Sequence, residues 1–153
     1  MLKGLDPLLS PELLYVLQSM GHGDDLVVVD RNFPAASVAA ATTSGTLVRL
    51  DGADVVQATR AILSVFPIDT FVDPAWWRME VVGAPDEIPP VQQDVQAVVD
   101  AAEGRNRPFA SIERMGFYDV AKQAYAVVST SELRGYACFI FKKGVVLADG
   151  TTA

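Results

Sequence analysis

Apolar residues recur along this chain with two alternating periods, one helical and one extended. Leu13, Leu14, Val16 and Leu17 form a stripe at helical spacing. The stripe opens on Ser10-Pro11-Glu12, a hydroxyl cap followed by proline and an acid in the first turn, and it stops at Gly21. The unbroken apolar run Leu26 to Val29 then predicts a buried strand ending at Asp30. Asn32-Phe33-Pro34-Ala35 reads as a turn, Ala35 to Ala41 as a short helix, and Thr46 to Leu50 as a second strand. Ala53 to Phe66 is expected to be a helix with Val55, Val56, Thr59, Ile62 and Leu63 inward. A strand over Met79 to Val82, a helix over Val91 to Glu103 and a strand over Phe109 to Glu113 follow. A helix over Gly116 to Ala124 precedes strands at Tyr125 to Ser129 and Phe139 to Lys142, closed by Gly144.

Helices and strands therefore alternate, and the strands look apolar on both faces. That pattern predicts an α/β layered sheet. No repeat, low-complexity tract or linker divides the chain, so residues 1–147 are expected to form one domain. The small and polar residues 148–153 are expected to be a loose tail.

At 153 residues the chain can bury a sizeable core. Half of its residues are hydrophobic and its mean hydropathy is +0.25, high for a soluble monomer, so some apolar surface should be covered between subunits. No apolar run reaches the roughly 18 residues a membrane span needs. The start, Met1-Leu2-Lys3-Gly4-Leu5-Asp6-Pro7, lacks the features of a secretory signal. A formal net charge of −7 without any basic run argues against nucleic acid. Cys138 is the only cysteine, which excludes an intrachain disulfide and suits a reducing cytoplasm.

Candidate chemistry centres on the single histidine, His22, in Gly21-His22-Gly23-Asp24-Asp25. Imidazole is the side chain that exchanges protons near neutrality, and flanking glycines let a substrate approach it. Asp30 stands at the carboxyl end of the first strand, the edge where α/β proteins commonly bind ligands. One histidine rules out a multi-histidine metal site within the chain. Nucleotide-loop, CxxC and GxSxG signatures are absent. Arg114 with Phe117-Tyr118, and Gly135-Tyr136-Ala137-Cys138 before Lys142-Lys143-Gly144, complete the polar clusters. Taken singly, Arg114 also fits a surface salt bridge, and Tyr118 and Tyr136 fit core rings with wet hydroxyls. Trp76-Trp77 points in two directions at once, which suits core or subunit packing better than stacking on one ligand face.

Leu8-Leu9-Ser10-Pro11-Glu12-Leu13-Leu14, Gly21-His22-Gly23-Asp24, Asp30 and Asn32-Phe33-Pro34-Ala35 together resemble the opening of the RbsD/FucU family of sugar mutarotases. Arg114-Met115-Gly116-Phe117-Tyr118 and Lys142-Lys143-Gly144-Val145 are similar to that family's closing segments. The Phe33-Pro34-Ala35 turn and the glycine after His22 resemble the L-fucose branch more than the D-ribose branch. The resemblance implies a three-layer α/β/α sandwich with a mostly parallel sheet, assembled into a ring, usually a homodecamer. It implies a cofactor-independent and metal-independent isomerase that interconverts the α and β anomers of a free monosaccharide. By position, His22 matches the catalytic histidine, and Asp30 and Arg114 match sugar-binding residues. Tyr118 joins them as a candidate contact. Tyr136-Ala137-Cys138 matches a binding segment that usually reads Tyr-Gly-Asn, so Cys138 departs from the pattern and bears on which sugar is bound. Asp30 is expected either to orient the imidazole or to accept from a sugar hydroxyl. The alternatives are the same chemistry on another sugar, or a monosaccharide-binding protein without catalysis.

Overall fold

A computed structural model describes residues 2–153. In chain order the elements are α1 (Pro11–Ser19), β1 (Asp25–Val29), α2 (Ala35–Ala39), β2 (Leu47–Leu50), α3 (Val55–Leu63), β3 (Trp76–Met79), α4 (Pro90–Glu103), β4 (Ala110–Ile112), α5 (Arg114–Lys122), β5 (Ala126–Thr130) and β6 (Phe139–Lys142). The strands form one six-stranded sheet in the order β2-β5-β1-β6-β3-β4. All pairs are parallel except those made by β6, which runs antiparallel to both β1 and β3. The sheet is thus mostly parallel, as expected.

Successive side chains of a strand face opposite sides, and β1 shows how this builds the layers. Leu26 and Val28 pack with Leu13 and Val16 of α1, Ile62 of α3 and Val95 of α4. Val27 and Val29 pack with Phe33, Val38 of α2, and Phe117 and Ala121 of α5. Both faces of the sheet are covered by helices, which explains the continuous apolar run of the central strand. The result is a three-layer α/β/α arrangement.

Local chemistry sets the ends of the elements. α1 starts where the Ser10 hydroxyl accepts from the Leu13 amide. α3 starts later than the pattern suggests, at Val55, because Asp54 and Gln57 form a reciprocal capping box. α5 begins at Arg114, two residues earlier than expected, because the Glu113 carboxylate accepts from the amides of Met115 and Gly116.

One strand is displaced from its expected place. The extended pairing covers Trp76 to Met79, not Met79 to Val82. Trp76 is fully buried, lies 5.6 Å from the Phe141 ring in a near-parallel stack, and donates its indole N–H to the Arg107 carbonyl at 2.7 Å. That packing pulls the aromatic pair into the sheet and leaves Val81 and Val82 beyond its edge. The tryptophans therefore pack the molecule, Trp76 in the core and Trp77 on the opposite face near Lys142. At the other end of the chain, the Leu147 amide donates to the Thr151 carbonyl and the Ala153 amide to that of Val145.

Candidate active site

His22 sits in the turn between α1 and β1. Gly23 adopts φ +85°, a left-handed conformation suited to glycine, and the Asp24 carboxylate closes the turn by accepting from the Gly21 amide at 2.7 Å. The imidazole is 46% exposed, and its Nε2–H donates to the Asp69 carboxylate at 3.1 Å. Asp69 itself is only 2% exposed and also accepts from the Phe71 amide at 3.0 Å. Burial works to raise the Asp69 pKa, but the Phe71 amide and the imidazole outweigh it and hold the carboxyl below its ordinary value. The Phe71 ring lies 5.2 Å from the imidazole. With Nε2 committed to Asp69, Nδ1 has no hydrogen-bond partner among the described residues.

The end of β6 clamps these two turns together. Lys143 donates its ammonium to the carbonyls of Leu17 and Met20, the last turn of α1, at 2.6 Å each. Its backbone pairs with Gly23 and Asp24 on one side, while Lys142 and Gly144 pair with Asp69 and Pro67 on the other. Gly144 allows the close approach: a Cβ there would stand 2.8 Å from the Ile68 carbonyl oxygen and 2.9 Å from the Asp69 Cα. Beside this clamp His22 borders a cavity of about 620 Å³, walled by Leu14, Leu17, Pro67 and Lys143 among others.

The other candidates gather at the opposite edge of the sheet. Asp30, 5% exposed, follows β1 directly. Its Oδ1 accepts from the amides of Asn32 and Phe33, and its Oδ2 from the Ala137 amide at 3.3 Å and the Cys138 thiol at 3.5 Å. Burial, and then the Asp30 charge, push the Cys138 thiol well up, so it stays a protonated donor. Tyr118 packs its ring on Phe33 at 5.4 Å. The Tyr136 hydroxyl accepts from the Val82 amide at 3.3 Å. Val82 and Arg114 line a shared cavity of about 200 Å³, and Asp30 borders another of about 270 Å³ with Arg31, Phe33 and Arg49.

Asp30, Arg114, Tyr118, Tyr136, Ala137 and Cys138 therefore stand at one edge, and His22 at the other. The five residues of β1 separate the two, a rise of about 17 Å. The carboxylate that orients the imidazole within one chain is Asp69, not Asp30. Sequence reasoning missed Asp69 because Pro67-Ile68-Asp69-Thr70 has no local pattern that marks a site. Only the topology, which sets the approach to β3 beside the approach to β1, brings it under His22.

Glu132 braces the Asp30 turn, since its carbonyl accepts from the Arg31 amide at 3.0 Å. Its carboxylate takes two hydrogen bonds from the Arg134 guanidinium, at 2.9 and 2.8 Å, and these outweigh burial to hold its pKa at about 2. The folded carboxyl lies below its ordinary value of 4.5, so this stabilisation is present above pH 4.5 and is lost as pH falls towards about 2. Glu132→Gln is expected to lower stability at neutral pH and to flatten the acid limb of the stability curve. Circular dichroism of unfolding between those pH values checks it, and an unchanged acid limb would contradict the assignment.

The RbsD / FucU transport protein family profile matches residues 3–146. The chain belongs to that family. It is 42% identical over 148 residues to the human fucose mutarotase, covering 95% of this chain and 94% of the relative. The crystal structure of protein Atu2016 superposes with a TM-score of 0.93 at 51% identity, covering 96% of this chain and 97% of that one. The fucose mutarotase of Streptococcus pneumoniae, solved in complex with L-fucose, superposes with a TM-score of 0.85 at 36% identity, covering 95% and 100%. Mutarotation is an isomerase reaction, so the curated relative is an isomerase and its RbsD/FucU fold is shared here. Among the described residues no helix is long and apolar enough to cross a membrane.

Proposed function

We propose that this RbsD/FucU protein is a mutarotase that interconverts the α and β anomers of L-fucose in the cytoplasm, with each reaction centre built from two copies of the chain. The observation that carries the reading is the His22–Asp69 pair, an exposed imidazole held by a buried carboxylate with one nitrogen free. The human relative's activity and the L-fucose held by the Streptococcus pneumoniae structure support the substrate.

The reaction needs one proton removed and one delivered. Nδ1 takes the proton from the anomeric hydroxyl, the electron pair of that O–H bond forms the carbonyl, and the bond from C1 to the ring oxygen breaks. The ring oxygen receives a proton from the imidazolium. Rotation about C1–C2 presents the other carbonyl face; the reverse steps close the ring as the other anomer and return the imidazole to neutral. Asp69 keeps the ring oriented and stabilises the transient imidazolium. Asp30, Arg114, Tyr118 and Tyr136 supply acceptors and donors for sugar hydroxyls, from the edge of a neighbouring copy.

Exposed apolar residues at both edges support that assembly: Phe71 and Val72 beside His22, and Val82, Met115 and Leu133 beyond the other strand ends. A closed ring, of ten copies as the resemblance implies, would set one edge of each copy against the opposite edge of the next. Saturation-transfer NMR on L-fucose tests the activity, and binding without exchange would leave a sugar-binding protein in its place.

The burial of Cys138 bears on substrate choice. Its thiol points at Asp30 and packs with Ile140 and Val27, so it reaches a sugar only through that carboxylate. Cys138→Asn is expected to change exchange rates for L-fucose, D-ribose, D-galactose and D-arabinose by a common factor. Reordering of the four sugars in the same NMR assay would show that the side chain contacts substrate.

A further inference from the structure

Arg78 is a buried cation to which, among the described residues, no carboxylate is hydrogen-bonded. It lies in β3, 3% exposed. Its Nε donates to the Ser111 hydroxyl at 2.9 Å, one terminal nitrogen donates to the Glu87 carbonyl at 2.9 Å and the Gln92 side-chain oxygen at 3.1 Å, and the other donates to the Pro85 carbonyl. The Phe109 ring lies 5.3 Å from the guanidinium carbon. A buried charge is normally paired with its opposite. Here the Glu80 and Asp86 carboxylates act on it only through space, the atoms that touch it are neutral oxygens, and two of these belong to the 80–88 segment.

Gln92, fully buried at the start of α4, relays this arrangement. Its oxygen faces Arg78, so its nitrogen faces the other way and donates to the carbonyls of Met79 and Tyr136 at 2.8 Å each. Arg78 thereby dictates which way the amide points. Tyr136 needs this support: it holds φ 59°, a region that residues with a Cβ occupy only when their surroundings fix it. The next amide, that of Ala137, reaches Asp30, and the Tyr136 hydroxyl reaches back to the Val82 amide in the 80–88 segment.

We propose that Arg78 and Gln92 are positioning residues for substrate affinity. Acting as one unit, they fix the 80–88 segment and the Tyr136 turn, the two segments that border the sugar-side edge. The inference rests on the reading above that this edge receives the sugar.

Gln92→Met fills the same space without donor or acceptor. Its KM for L-fucose, from the concentration dependence of anomer exchange, is expected to rise about tenfold. Its kcat is expected to change less than about twofold, because Gln92 bonds to Arg78, Met79 and Tyr136 and to neither His22 nor Asp69, the pair that moves the protons. Arg78→Met is expected to behave alike, and the double variant to be no worse than the poorer single one. In each variant the amides of Val82 and Ala137 should exchange hydrogen faster than in the parent. Should Gln92→Met fail to fold, Gln92→Glu keeps the volume and the Arg78 contact while setting an oxygen against both carbonyls, and the same KM rise is expected. An active parent with unchanged KM and unchanged protection at those amides in a folded variant overturns the proposal. So does a parallel fall of kcat and kcat/KM that tracks lost thermal stability. A parent inactive on L-fucose instead overturns the proposed function, a result distinct from either.

Discussion

His22→Asn is expected to slow L-fucose anomer exchange by at least about a hundredfold while leaving the fold intact. His22 is the only histidine in the chain, so no second imidazole can take over proton transfer near neutrality. Nearly half of the side chain is exposed, and its hydrogen-bonded partner Asp69 keeps the Phe71 amide when the imidazole is removed. The structural loss is therefore small and the chemical loss large. Saturation-transfer NMR gives the rate, and circular dichroism confirms the fold. Undiminished exchange in the folded variant would remove His22 from the mechanism.

The second large effect is recovery of activity from two inactive proteins. Asp30→Asn and His22→Asn are each expected to be inactive alone, because every reaction centre lacks one partner. Co-expressed and randomly mixed, about a quarter of the centres should combine an intact His22 edge from one copy with an intact Asp30 edge from another. Exchange should return to about a quarter of the parental rate. The placement of the two residues at opposite ends of β1 motivates the test, since no single copy can bring them together. Mixed oligomers, verified by mass spectrometry, that stay inactive would sink the shared centre.

Much of this was readable in the chain. The run Leu26 to Val29 announced a strand covered on both faces, and Ser10-Pro11-Glu12 announced the start of α1, because both signals are local. Asp69 was not readable, because its role depends on β6 drawing two distant turns together. Arg78 and Gln92 were hidden for the same reason. An arginine within a short apolar stretch and a glutamine on a helix look unremarkable until α4 is laid over β3. The expected strand over Met79 to Val82 slipped because the pairing is set by Trp76 packing on Phe141, a contact between residues far apart in sequence. The gathering of Asp30 with Ala137 and Cys138 followed from the family resemblance, and the hydrogen bonds supply its physical cause.

The reversed strand β6 has an architectural consequence. Ala137 and Cys138, beside Asp30, lead into it, and Lys143 and Gly144, which hold the His22 turn, follow directly after it. One stiff rod thus runs from the Asp30 edge of the chain to its His22 edge, and β1 lies alongside it. In the ring proposed above, such rods would lie end to end as links of fixed length. Neighbouring reaction centres then share one repeat distance, and lengthening or shortening either strand by a residue would misalign two centres at once.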